Sequence, residues 1–159
     1  MHHASLNTPL GLLHVQASDS AVVAVHFSQA SNDIAPEPAP PTSLITARAI
    51  AQLEAYFSGH RQDFDLPLAP TGTAFQQRVW RVLQTIPYGK TWSYSVQAEA
   101  MGQPSAVRAV AAANRANPIA IVIPCHRVVG KDGTLRGYAG GVARKQALID
   151  LETMQRSLQ

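Results

Sequence analysis

Between Pro67 and Gly72 the chain changes character, and that boundary limits what it can fold into. Pro67 and Pro70 lack the N–H that a helix interior or a central strand needs, and Gly72 follows them. Residues 1–70 hold two Lys/Arg against six Asp/Glu, a net of −4, whereas residues 71–159 hold eleven against four, a net of +7. Two units are therefore expected, 1–70 and 71–159. The overall charge of +3 conceals a basic C-terminal half, which is either the electrostatic pattern of a polyanion binder or an ordinary solvated surface. With 46% hydrophobic residues the chain can bury a core. No apolar run approaches the ~20 residues that span a bilayer, so no membrane helix is expected. The opening Met1-His2-His3-Ala4 lacks the basic and long apolar regions of a secretory signal. Cys125 is the sole cysteine, which excludes an internal disulfide and a multi-cysteine zinc site. A lone thiol fits a reducing compartment, and a cytoplasmic location is expected.

In the N-terminal unit, Leu10–Ala17 and Val22–Phe27 are β-prone apolar runs around Ser18-Asp19-Ser20, a hairpin pattern within residues 5–28. The proline-rich stretch Ala35-Pro36-Glu37-Pro38-Ala39-Pro40-Pro41 reads as an extended loop. Ser43–Ser58 reads as a helix with Ala47, Ile50, Leu53 and Phe57 on one face, stopped by Gly59, and Phe64–Leu68 as a short strand. Past the boundary, Thr73 and Gln76 fit a capping box. Phe75, Val79, Val82, Leu83 and Ile86 then form a helical apolar stripe that Pro87-Tyr88-Gly89 ends. Two short helices follow, Ser93 to Met101 and Pro104-Ser105 to Asn114, across a turn at Gly102, the pattern of a helix-turn-helix. The second carries Ala106, Ala109, Ala111, Ala112 and Ala113, with Arg108 projecting. So thin a helix can approach a groove wall closely or pack tightly on another helix. Asn117-Pro118 breaks the chain, and Ile119–Ile123 reads as a buried strand. A loop through Gly130, Gly133, Gly137, Gly140 and Gly141 leads to a last helix over Val142–Met154.

Cys125 ends the apolar run beside His126 and Arg127. Positive neighbours stabilise a thiolate, the reactive form, and a histidine can take the thiol proton directly or through one water. That histidine needs a partner to set its tautomer. Glu152 is a candidate, because it shares a face of the last helix with Lys145, Leu148 and Ile149. Its carboxylate is either buried and paired or exposed at the helix end, and the spacing does not choose. At this level a buried structural thiol, a cysteine hydrolase and a group-transfer protein all stay open.

The motifs go further. Pro-Cys-His-Arg-Val (124–128) follows Asn117-Pro118-Ile119-Ala120-Ile121-Val122-Ile123 and precedes Gly137-Tyr138-Ala139-Gly140-Gly141-Val142-Ala143-Arg144-Lys145, with Arg108-Ala109-Val110 upstream. From Thr73 to Glu152 this closely resembles the O6-alkylguanine-DNA alkyltransferases, also called methylated-DNA–protein-cysteine methyltransferases. The N-terminal third is similar only through Thr8-Pro9-Leu10-Gly11 and Tyr56-Phe57-Ser58-Gly59. The resemblance implies an α/β N-terminal domain with a ribonuclease-H-like sheet, followed by a mainly helical C-terminal domain with a DNA-binding helix-turn-helix. It implies that Cys125 accepts the alkyl group, with His126 and a water as proton path, Glu152 behind the histidine, and Asn117 bracing the turn. It implies that Arg108 enters the duplex in place of the expelled nucleotide, and that Tyr94 meets the flipped base and its 3′ phosphate. Ser93, Ala109 and Arg115 join the expected DNA face. The carbonyls of Cys125 and Val128, the amide of Ala139, and Tyr138 form the expected guanine pocket. Relatives that lack the acceptor cysteine recognise alkylated DNA without chemistry, and that is the alternative reading. The partner implied is double-stranded DNA carrying O6-alkylguanine, with O4-alkylthymine as a second substrate to test. The protein is expected to be a monomer, with cooperative assembly on DNA left open. No cofactor is implied, and no metal is expected, because no cysteine precedes Cys125. Four positions depart from the family pattern: Ala111 and Arg115 each stand where glycine is frequent, and Val96-Gln97 is inverted, which puts Gln97 at an expected core position.

Overall fold

Leu13, Val15 and Ala17 alternate with His14 and Gln16, and in the computed structural model this pattern is strand β2 (Gly11–Ala17). The structure describes residues 1–28 and 37–157. The backbone forms two units, Met1–Pro70 and Thr71–Gln159.

In the first unit, β2 pairs antiparallel with β3 (Val22–Phe27), which forms the expected hairpin. A further strand, β1 (His2–Thr8), pairs with the other edge of β2 and completes a three-stranded meander. Sequence reasoning missed β1 because its buried residues, Ala4 and Ser5, are small and do not alternate. Ser5 is buried cheaply, since its hydroxyl accepts the Ala39 N–H at 2.6 Å. Ala35 and Pro36 of the proline-rich stretch lie outside the described residues. Its remainder runs along the free edge of β1, with Ser5 N donating to Ala39 O (3.0 Å) and Thr42 N to His3 O (3.2 Å).

Helix α1 (Leu44–Phe57) begins at a Ser43 capping box and ends at Ser58. Its buried face is Thr46, Ala49, Gln52, Leu53 and Tyr56, not the expected Ala47, Ile50, Leu53 and Phe57. Polar side chains with partners make the difference. The Thr46 hydroxyl donates to Ser43 O at 3.0 Å. The Gln52 amide clamps the Asp65 backbone from both sides, at 3.0 and 2.9 Å. Phe64–Leu68 is not a strand. Only a parallel bridge between Val22 and Leu68 forms, because prolines 67 and 70 have no N–H to continue a ladder.

In the second unit, α2 (Ala74–Leu83) starts at the Thr73–Gln76 capping box. It buries Val79, Trp80 and Leu83, with Ile86 buried just beyond its end. The short strand β4 (Trp92–Ser93) leads into α3 (Tyr94–Ala100). Gly102, at φ 71°, closes α3 with Gln103 N donating to Ala98 O and Gly102 N to Glu99 O. That is a Schellman turn, which needs a left-handed residue. Helix α4 (Val107–Arg115) starts three residues later than expected, because Pro104-Ser105 forms a turn closed by Ala106 N on Gln103 O. Gln97 is fully buried as expected, paired with Asn114 of α4, while Val96 is 43% exposed.

The apolar run Ile119–Ile123 is not a strand but a sequence of buried turns. A 3-10 turn (Cys125–Arg127) follows it, and then β5 (Val128–Val129), which pairs parallel with β4. Helix α5 (Val142–Ser157) closes the chain. Lys145, Leu148 and Glu152 on its inner face are each 1% exposed or less.

Candidate active site

Asn117 builds the corner that carries Cys125. Its Nδ2 donates to Ile123 O at 2.7 Å and its Oδ1 accepts from Ile119 N at 2.9 Å, so one side chain closes the loop. This local closure is why the apolar run coils rather than extends. Inside the loop, Ile121 sits at φ 71° while Val122 N donates to Ala120 O at 2.8 Å. A β-branched residue in the left-handed region is strained, and such strain gathers at functional turns. Cys125 then opens the 3-10 turn, 8% exposed.

Burial pushes the Cys125 thiol up, and a hydrogen bond with Asn117 and the charge of Lys145 bring it partly back. The expectation that Arg127 helps hold a thiolate is therefore corrected. Successive residues of a 3-10 turn point about 120° apart, and the Arg127 guanidinium is directed at Glu152 and at Ile86 O. At neutral pH the resting sulfur is a thiol. Alkylation of the free protein by iodoacetamide should accordingly be slow at pH 7 and accelerate with pH, with a midpoint above the ordinary thiol range. A midpoint below that range would contradict the burial argument.

Behind the cysteine, Glu152 is 1% exposed. Its Oε2 accepts from His126 Nε2 at 2.6 Å and from Arg127 Nη2 at 3.1 Å, and its Oε1 accepts from Arg127 Nε at 2.7 Å. Burial raises this carboxyl, but His126 and Arg127 outweigh it and hold the group at about 2. An ionised carboxylate can only accept, so His126 Nε2 carries the hydrogen. With the hydrogen on Nε2, any lone pair of the ring is on Nδ1, which is buried without a protein partner. Arg127 is itself anchored by Ile86 O at 2.8 Å and lies 5.6 Å from the Tyr88 ring centroid.

Tyr94, the first residue of α3, donates its hydroxyl to Arg136 O at 3.3 Å. Lys145 donates to that hydroxyl at 3.4 Å and to Arg136 O at 2.9 Å. Burial raises the Tyr94 phenol and the Cys125 sulfur adds to it, while Arg115 and Arg136 oppose. Burial lowers Lys145, opposed by Cys125. Lys145 thus couples to both the sulfur and the phenol. Its sequence signal was its place on the inner face of α5 beside Glu152, but that spacing names no partner.

The Tyr138 hydroxyl is buried without a protein partner, and burial together with Cys125 holds it well above its ordinary value. Val128 is fully buried opposite Trp92, and its N–H donates to Cys125 O. Ala139 is exposed on the glycine-rich loop. At Gly137, in the left-handed region at φ 52°, an added Cβ would lie 2.9 Å from Cδ of the flexible Arg115 side chain. Arg115 therefore lies over this loop. The Ser93 hydroxyl is occupied as the N-cap of α3, accepting Val96 N at 3.1 Å. Arg108 and Ala109 are exposed on α4. A groove of ≈ 440 Å³ runs beside Tyr94, lined also by Ser95, Val107, Lys131 and Arg136. Among the described residues, no group of three or more His, Cys, Asp or Glu is placed to hold a metal ion, and no helix is long and apolar enough to cross a membrane.

The family model for the DNA binding domain of 6-O-methylguanine DNA methyltransferase matches residues 74–154. The model for the ribonuclease-like domain of the same family matches residues 1–70. A methylated-DNA–protein-cysteine methyltransferase of Mycobacterium bovis is 43% identical over 152 residues, covering 96% of this chain and 92% of that protein. The constitutive enzyme of Bacillus subtilis is 39% identical, covering 93% of this chain and 92% of that one. The crystal structure of Mycobacterium tuberculosis O6-methylguanine methyltransferase superposes with a TM-score of 0.85 at 42% identity, over 98% of this chain and 94% of that one. The same protein in complex with DNA gives 0.85 at 42% identity, over 96% and 93%.

Proposed function

The chain belongs to the 6-O-methylguanine DNA methyltransferase family, and from that premise we propose that it repairs O6-alkylguanine in duplex DNA by moving the alkyl group onto Cys125, once per molecule. The observation that carries this reading is the buried chain Arg127–Glu152–His126, which fixes the imidazole of the residue that follows the sole cysteine and leaves its Nδ1 without a protein partner. The O6 atom is paired and stacked in a duplex, so the nucleotide must leave the helix to react. Arg108, exposed on α4, is suited to fill the gap, since a flat guanidinium can stack and donate hydrogen bonds. The groove beside Tyr94, lined by Lys131 and Arg136 against the single carboxylate of Asp132, offers cationic contacts to the lesion strand.

In the reaction, His126 Nδ1 takes the thiol proton directly or through one water. The sulfur attacks the alkyl carbon, an S–C bond forms and the C–O6 bond breaks. The departing guanine takes a proton on a ring nitrogen from the Tyr94 hydroxyl, which Lys145 supports. Asn117 holds the sulfur in place, and Val128, Tyr138 and Ala139 wall the base. The product is a thioether with no carbonyl for water to attack, and the chain has no second cysteine to remove the group. A cytoplasmic location fits the lone reduced thiol.

Intact mass after incubation with an O6-methylguanine duplex tests the reading. A stoichiometric gain of one methyl group is expected. Binding without a mass change favours the non-catalytic recognition protein, and continuous turnover favours a hydrolase.

A further inference from the structure

Helix α4 has few side chains able to fix its own position. Its buried residues are Val110, Ala113 and Asn114, and alanine makes up half of its remaining length. Alanine packing sets how closely two helices approach, but a smooth contact resists sliding and rotation poorly, because ridges must enter grooves to lock a crossing angle. What α4 has instead is a polar lock at its C-terminal end. Gln97 of α3 and Asn114 are 0% and 4% exposed. They bond reciprocally: Gln97 Nε2 donates to Asn114 Oδ1 at 2.9 Å, and Asn114 Nδ2 donates to Gln97 Oε1 at 2.7 Å. Beside them, Trp80 Nε1 of α2 donates to Ala113 O at 2.9 Å and so satisfies a carbonyl of the last helical turn.

We propose that the Gln97–Asn114 amide pair is a positioning device for α4, fixing its register on α3 and thereby the depth and direction at which Arg108 meets the duplex. The inference rests on the reading of α4 as the element that enters DNA. Two apolar side chains would fill the same space without demanding one arrangement. Two directional bonds are satisfied in only one, since a one-residue slip moves the helix by about 1.5 Å and turns its side chains by about 100°. Buried polar pairs that specify register rather than add stability are well attested in helical assemblies. A misplacement of about 1 Å far from the chemistry can cost on the order of 100-fold in rate. Cys125 and His126 sit on the 3-10 turn rather than on α3 or α4, and α4 meets the Asn117 corner through the backbone bond from Asn117 N to Asn114 O (3.3 Å), which replacing the Asn114 side chain leaves in place.

The decisive variant is Gln97→Leu/Asn114→Leu. Replacing both partners by apolar groups of similar shape leaves no buried amide unpaired, so the protein should fold with a thermal midpoint at or above that of the parent. Two rates are compared, methyl transfer from O6-methylguanine in a duplex and benzyl transfer from free O6-benzylguanine. The duplex rate should fall by about 10-fold or more, while the free-base rate stays unchanged. The swapped pair Gln97→Asn/Asn114→Gln keeps the reciprocal bonds and should recover the duplex rate. If the double leucine variant does not fold, Gln97→Met/Asn114→Ala makes the same comparison with less bulk. Equal loss on both substrates, or parental repair of the duplex, overturns the proposal. Arg108→Ala separates the two levels. If it slows duplex repair while the double leucine variant does not, only the positioning role fails. If Arg108→Ala leaves the duplex rate intact, the reading of Arg108 fails and this inference with it.

Discussion

Cys125→Ser should reduce alkyl transfer below detection while duplex affinity changes by no more than about twofold, the equivalent of roughly 0.5 kcal/mol. A serine hydroxyl is far less acidic than a thiol and its oxygen a poorer nucleophile at neutral pH, so the imidazole beside it cannot make a competent attacking group. The substitution is nearly isosteric at a site that is 8% exposed, so the turn built by Asn117 should persist. None of the residues assigned to DNA, among them Arg108, Ala109 and Arg115 on α4 and Tyr94 on α3, belongs to the 3-10 turn. Intact mass and a gel-shift titration read the two quantities separately. A methyl group still gained by the serine variant would remove Cys125 from the mechanism. Loss of binding together with transfer would show that the cysteine holds the fold rather than performs the chemistry.

Where chemistry is written in a contiguous motif, the sequence was informative. Pro-Cys-His-Arg-Val, the Arg108-Ala109-Val110 triplet and the glycine-rich loop fall on one unit, and the Thr73–Gln76 capping box forms as its spacing requires. The misses share a cause, which is that side-chain hydrogen-bond partners, some near along the chain and some far, decide local states that periodicity and composition do not read. Thr46 and Gln52 look like surface residues until Ser43 O and the Asp65 backbone satisfy them, and so the α1 face was misread by a fraction of a turn. Ile119–Ile123 has strand composition, yet one asparagine closes it into turns. Arg127 sits two residues after Cys125 in sequence, but it serves the carboxylate of Glu152, 25 residues away. Lys145 carried no sequence sign of its coupling to Tyr94 beyond an inward helix position. Gln97, conspicuous as a polar residue at a core position, became intelligible only through Asn114, 17 residues downstream.

Removing the carboxylate at position 152 should strongly destabilise the C-terminal unit. Glu152→Ala leaves the buried Arg127 guanidinium without its counterion, and breaking a buried pair this way costs about 3–5 kcal/mol. Acid titration approaches the same interaction from the other side. The carboxyl is held at about 2 against an ordinary 4.5, which at about 1.36 kcal/mol per pH unit is on the order of 3 kcal/mol. A depressed folded-state value means that the stabilisation is complete above about pH 4.5 and is lost as the pH falls toward 2. Denaturant midpoints of the parent should therefore drop across that window, and those of Glu152→Gln should drop less. The glutamine variant also tests the chemistry. Its amide can donate to His126 Nε2, which moves the ring hydrogen to Nδ1 and leaves no lone pair to receive the thiol proton. Transfer should fall by about 10²- to 10⁴-fold, the usual worth of a positioned base, with duplex affinity retained. A Glu152→Gln protein that repairs at the parental rate would reduce the Arg127–Glu152–His126 chain to a structural brace and leave the thiol to find its base elsewhere.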